Sequence, residues 1–193
     1  MNISDLQKLF DTQIATLKDR GCPEQILTML ANQRGDVVSK ASQTSLKEGR
    51  ISFLPVVPRL YLSIYSQMAM VRNGNKAGYT YLNPSQVTDV VETPREPYYI
   101  FDIEDGEVMR GKAPRQAEKE IKKDGRRGLT EVEVIALGIH TDVLSRHYVD
   151  AVGSRFGSNG VPGLGLFDGG PALYWCGLGV GDDRWGAASC GSK

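Results

Sequence analysis

The stretch Thr130–Leu144 constrains this chain most. Val132, Ile135, Leu137, Ile139, Val143 and Leu144 place apolar side chains on more than one side of a helix. Such a helix has to lie inside a core, with other elements packed on several of its faces. Thr130 and Glu133 fit the capping box that opens it, in which two side chains satisfy amides that the first turn leaves without partners. Pro114–Lys123 predicts another helix just upstream, its end marked by Gly125.

The elements that surround this helix carry weaker signals. Twelve of the 22 glycines fall in the last 43 residues. There Val161–Phe167 and Ala172–Trp175 flank Asp168-Gly169-Gly170-Pro171, the pattern of a β-hairpin. Ile51–Val57, bounded by Pro55 and Pro58, predicts an extended or edge segment. Val87–Val91 and Tyr98–Ile103 predict strands, Tyr61–Val71 a short helix, and Asn73-Gly74-Asn75 a turn.

Residues 1–50 are helical in pattern. Ser4 and Gln7 fit a capping box, Leu6, Leu9, Phe10, Ile14 and Leu17 follow a 3.6-residue period, and Gly21 closes the helix. Pro23 suits the start of a second helix carrying Ile26, Leu27 and Leu30 and ending at Gly35, with residues 36–50 a third helix or a linker. The expected class is α+β. An N-terminal helical segment, 1–50, packs on a mixed α/β domain, 51–193, with a central apolar helix and a glycine-rich C-terminal β region.

Composition excludes more than it identifies. Lys and Arg total 23 and so do Asp and Glu, which weighs against a general pull toward nucleic acid or an anionic membrane. The longest apolar run, around Val134–Ile139, falls far short of the roughly 20 residues a membrane span needs. The first residues, Met1–Asp5, lack the basic and apolar regions of a secretory signal. Cys22, Cys176 and Cys190 make an odd number of thiols, which suits a reduced, cytoplasmic protein.

Several groups carry candidate chemistry. Cys190, flanked by small residues, has the setting of a nucleophile, with His140 or His147 as base and Asp142 to orient it. Against this, a free cysteine near a glycine-rich end is commonly a small buried residue. His140, His147, Cys176 and Cys190 have zinc-ligand chemistry but not zinc spacing. On one continuous helix the two imidazoles lie roughly 10.5 Å apart along the axis, too far for one ion. No metal and no cofactor is therefore expected. Arg146, His147 and Arg155 could face an anionic ligand, although Asp142 and Arg146 also form an i, i+4 pair on a helix surface. The run Arg110–Arg127 carries eight basic residues against Glu118, Glu120 and Asp124. It lacks aromatic residues for base stacking, and its mixed signs suit a solvated helix. Tyr174, Trp175 and Trp185 could line a pocket or serve as packing. The Gly163-x-Gly165 and Gly177-x-Gly179-x-Gly181 patterns match neither nucleotide-binding glycine motif.

A set of short blocks stands in a recognisable order. These are Leu82-Asn83-Pro84, Thr88-Asp89-Val90-Val91-Glu92-Thr93-Pro94, Gly128-Leu129-Thr130, Ile135-Ala136-Leu137, and His140-Thr141-Asp142-Val143-Leu144. They continue with Gly153-Ser154-Arg155-Phe156, Val161-Pro162, and Trp185-Gly186-Ala187-Ala188-Ser189-Cys190. Over residues 51–192 the chain resembles a family of bacterial proteins catalogued as a domain of unknown function. The resemblance implies a bacterial, cytoplasmic protein and supplies no activity or site residues. Gly163-Leu164-Gly165-Leu166 departs from the bulkier strand expected there.

The sequence thus favours a soluble binding or interaction module for a small molecule or protein, with His140, His147, Arg155, Trp185 and Cys190 as its ligand surface and Arg146 beside it. The alternatives are an enzyme with a Cys190 nucleophile, and weak nucleic-acid binding through residues 110–127.

Overall fold

The computed structural model describes residues 2–192. Its helices are α1 (Ile3–Asp19), α2 (Glu24–Ala31), α3 (Arg34–Gln43), α4 (Ile64–Met68), α5 (Pro114–Lys123) and α6 (Glu131–His140). The strands are β1 (Ile51–Val56), β2 (Arg72–Asn73), β3 (Lys76–Ala77), β4 (Tyr79–Thr80), β5 (Val87–Asp89), β6 (Tyr98–Ile103) and β7 (Arg126–Gly128). They continue with β8 (Tyr148–Asp150), β9 (Ser154–Phe156), β10 (Gly160–Phe167), β11 (Gly170–Gly177), β12 (Trp185–Ala187) and β13 (Ser189–Gly191). The fold is α+β.

Helix α6 occupies the position its composition demands. Every residue from Glu131 to Ile139 is buried, and Leu164 of β10 lies against the face that Gly138 leaves open. The Glu133 carboxylate accepts the Thr130 backbone N–H at 2.8 Å, which fixes the first turn. The helix stops at His140, sooner than the apolar pattern suggests. The Thr141 hydroxyl donates back to the Leu137 carbonyl at 2.7 Å, the chain turns extended, and Val143–Ser145 forms a separate 3-10 turn.

Two sheets flank this core. β1 and β6 pair antiparallel, from Ile51 opposite Ile103 to Val56 opposite Tyr98. The larger sheet runs β12-β8-β10-β11-β4, with β9 pairing both β10 and β5. Its spine is the antiparallel β10–β11 hairpin, Gly160 opposite Gly177 through Phe167 opposite Gly170. Asp168 and Gly169 both have positive φ, +50° and +75°, as a two-residue primed turn requires.

Gly163 and Gly165 face the indole of Trp185. A Cβ on Gly163 would lie 2.6 Å from that ring, and one on Gly165 would lie 3.0 Å from Tyr148. The bulkier strand expected at this point has no room.

The N-terminal helices share the core of the rest of the chain. Leu6, Phe10, Gln13 and Leu17 form the buried face of α1. Phe10 stacks on Tyr99 of β6 with ring centroids 5.3 Å apart, and the Gln13 amide donates to the Phe53 carbonyl at 2.9 Å. Asn2 and Asp5, not Ser4 and Gln7, form the capping box of α1. Gly35 does not end α2; it lies inside α3, which shows that the polar stretch after it begins as a helix.

Candidate functional site

A cleft of about 420 Å³ opens where the end of α1, the β2–β3 hairpin and the end of α6 meet. Three side chains give it its chemistry. Arg20, one residue beyond α1, anchors itself through Nη1 to the Met70 carbonyl at 2.9 Å. Arg72, in β2, donates to the Ala69 carbonyl at 2.6 Å. His140, the last residue of α6, lines the cleft between them, and its buried Nε2 has no hydrogen-bond partner among the described residues.

The electrostatics here are unbalanced. Burial first, and the Arg72 charge second, lower the pKa of Arg20; no carboxylate among the described residues opposes them. Burial, reinforced by Arg20, pushes His140 down to about 3, so its ring is neutral at physiological pH. Asp142 also lines the cleft, but its side chain is 81% exposed and sits 3.6 Å from Arg146. The Thr16, Thr141 and Ser145 hydroxyls already donate to backbone carbonyls at 2.9, 2.7 and 2.7 Å. The guanidiniums and the imidazole are the groups left to meet a ligand.

The other residues singled out by sequence lie outside this cleft, and two of them, Arg146 and His147, meet at Asp105. His147 is buried, its Nδ1 3.1 Å from the Tyr148 carbonyl and its Nε2 3.6 and 3.4 Å from Asp105 and Glu107. Burial opposes its charged form, but the Asp105 carboxylate, the Tyr148 carbonyl and Glu107 outweigh that and raise its pKa. Arg146 pairs with Asp105 at 2.8 Å, and Arg155 with Glu118 at 2.5 Å. Trp185 is buried edge-on against Tyr148 and Tyr174, ring centroids 5.1 and 5.2 Å away.

Cys190 in β13 is buried, and burial above all pushes its thiol up to about 12 despite the nearby Arg127. No hydrogen bond among the described residues joins it to either imidazole. A thiol held neutral in this way lacks the thiolate that nucleophilic attack needs. The described residues contain no group of three or more His, Cys, Asp and Glu side chains that could hold a metal ion.

Two carboxylates dominate the start of α6: Glu131, which the sequence did not single out, and Glu133 of the capping box. Glu131, fully buried, lies 2.9 Å from Arg59 Nε, and the Ser154 hydroxyl lies 2.9 Å from Glu131 and 2.7 Å from Asp89. Arg59 closes the ring by donating to Asp89 at 2.5 Å. Burial, then the Asp89 charge, raises the Glu131 carboxyl to about 7. Glu133 is held just as firmly, accepting from Arg127 at 2.7 and 2.6 Å and from the Tyr98 hydroxyl at 2.8 Å. These networks consume their own charges. So does much of the basic segment 110–127: Arg110, Lys112, Lys122, Arg126 and Arg127 pair with Glu107, Glu120, Glu118, Asp102 and Glu133.

Tyr81, Phe167 and Trp175 stand 92%, 60% and 52% exposed beside an apolar groove of about 340 Å³ on the β4–β11 face. Trp185 does not line this groove; Tyr174, which does, packs against Trp185.

Sequence reading found His140 but missed Arg20 and Arg72. Neither belongs to a motif, and neither has a charge pattern around it that sets it apart. What marks them is that two arginines without an ion pair among the described residues share one cleft, which appears only when the end of α1 meets the β2–β3 hairpin.

Fold and site together define an α+β protein with a cleft that holds two arginines without ion pairs among the described residues. A family model described as a family of unknown function (DUF5701) matches residues 8–192, and the chain belongs to that family. The match begins inside α1 and so takes in the N-terminal helices. No curated protein and no solved structure matches the chain. No helix among the described residues is long and apolar enough to cross a membrane.

Proposed function

We propose that this protein binds a small anionic molecule in the cleft of Arg20, Arg72 and His140. The observation that carries this reading is a pair of arginines on one cleft, close enough for one to depress the other's pKa, neither of them in an ion pair among the described residues. Elsewhere in the molecule Arg34, Arg50, Arg59, Arg126, Arg127, Arg146 and Arg155 have acidic partners; Arg95 and Arg115 have none among the described residues but do not line this cleft. A guanidinium presents a fork of donors that suits carboxylate and phosphate oxygens. An oxyanion seated between the two arginines relieves their repulsion and satisfies donors that the fold leaves free.

The test is isothermal titration of the whole chain with inorganic phosphate, sulfate and acetate at low ionic strength. Arg72 is exposed on the rim, so Arg72→Gln leaves the core intact and is expected to weaken binding at least tenfold. Arg155→Gln, whose partner is Glu118, is expected to leave binding unchanged. Absence of binding by the wild type, or equal losses in both variants, overturns the reading.

A further inference from the structure

The cleft contains a third nitrogen group whose state is not fixed by the fold. His140 Nε2 is buried without a partner among the described residues, and the ring lines the same cleft as the two arginines. We propose that the ligand is a tetrahedral dianion of the phosphate type, and that its binding is coupled to uptake of one proton by His140. This rests on the anion-binding reading above and adds to it a ligand class and a means of regulation.

The class follows from counting charges and donors. Two unpaired guanidiniums supply two positive charges. Each spends a donor on a backbone carbonyl and keeps the rest of its fork. A monoanionic carboxylate balances one of those charges and leaves the other facing it. A phosphate-type dianion balances both, and its oxygens point in several directions rather than one plane.

The coupling follows from what surrounds His140. The cleft it lines is shared with Thr16 of α1 and Arg20 just beyond it, with Arg72 and Asn73 of the β2–β3 hairpin, and with Asp142 and Ser145 of the following turn. Burial and the Arg20 charge both disfavour an imidazolium. Asp142 is turned out to solvent near Arg146 and does little to support one. An empty cleft therefore keeps the ring neutral, in line with its depressed pKa. A dianion between the arginines cancels the positive field that opposes the ring's protonation. The negative charge of the ligand beside the ring then favours the imidazolium that burial and Arg20 otherwise oppose. Binding and protonation reinforce each other, so the ligand is held more tightly as the medium becomes acidic.

The probe is sulfate, a dianion whose own charge does not change across the working range. Titration calorimetry at pH 5.5, 6.5 and 7.5, in buffers of different ionisation enthalpy, reads affinity and proton uptake together. The wild type is expected to take up close to one proton per sulfate at the acid end and to bind up to tenfold more tightly per pH unit. His140→Gln is expected to bind sulfate with little pH dependence and no proton uptake. His147→Gln, which removes the protein's other imidazole, is expected to keep the wild-type uptake. Acetate is expected to bind at least tenfold more weakly than sulfate.

Sulfate binding without proton uptake, or uptake that survives in His140→Gln, overturns the coupling while leaving the anion site standing. Acetate binding as tightly as sulfate overturns the dianion class. Failure of sulfate and phosphate to bind at any pH overturns the anion site itself.

Discussion

Asp150 shows how a single residue writes a pH signature into this fold. It lies buried in β8, where its side chain accepts a hydrogen bond from the Cys176 thiol at 3.2 Å. Burial, with a smaller contribution from the Asp182 charge, raises its carboxyl to about 7 against that bond. A carboxyl raised in the folded state holds its proton when the unfolded chain has lost it. The stability it contributes is complete below the unfolded value of about 3.9 and is lost as pH rises through about 7. Asp150→Asn keeps the shape and removes the charge. Its unfolding free energy is expected to gain on the wild type between pH 5 and pH 8 by on the order of 1.4 kcal/mol or more, the free energy of a tenfold change in an ionisation equilibrium. Urea denaturation at the two pH values checks this, and parallel pH dependence in the two proteins counts against it. Glu131, also raised to about 7, remains in both and supplies the common slope. At this scale the sequence was only partly legible. His140 stood out because histidines are few, whereas Asp150 and Glu131 look like any surface acid until burial removes their water.

Among the elements, the β10–β11 hairpin carries the clearest physical lesson. Its glycines looked like a weakness in the strand, yet Gly163 and Gly165 are the surface on which Trp185 lies. Overpacking at such a contact typically costs about 1–3 kcal/mol. Gly163→Ala is expected to lose stability in that range. Gly179→Ala, in a loop where an added Cβ meets nothing within 4 Å, is expected to change it little. Equal effects in urea unfolding would show that the indole contact is not what selects glycine at position 163. Local pattern sufficed for α5, for α6 and for the Asp168-Gly169 turn, because periodicity, capping and turn chemistry act within a few residues. It failed where a distant partner decides. The two-residue strands β2, β3 and β4 leave no periodicity to read, and Thr141 ends α6 while the sequence beyond it stays apolar.

At the scale of the whole molecule the question is whether residues 1–50 are an appendage or part of the core. The β1–β6 pair is a two-stranded sheet, and such a sheet is marginal in water without a covering layer. Phe10 from α1 lies in contact with both Phe53 of β1 and Tyr99 of β6, at centroid distances of 6.3 and 5.3 Å. Lys40 from α3 sits 4.4 Å over the Phe101 ring, and Gln33 reaches the Pro97 carbonyl at 2.8 Å. Arg20 ties the end of α1 to Met70 beside the cleft it shares with Arg72. The helices therefore cover the sheet and build one wall of the site, so their removal should affect both. Phe10→Ala is expected to cost about 3–5 kcal/mol, the usual range for truncating a buried aromatic ring. The loss should appear as one shifted transition rather than a new early one. Far-UV circular dichroism weights the helices, and fluorescence reports Trp175 and Trp185 in the distant hairpin region. Coincident curves from the two probes mean one cooperative unit. An early helical transition that leaves tryptophan emission unchanged would instead mark residues 1–50 as a separate unit. In that case the Arg20 wall of the cleft could open without unfolding the sheet.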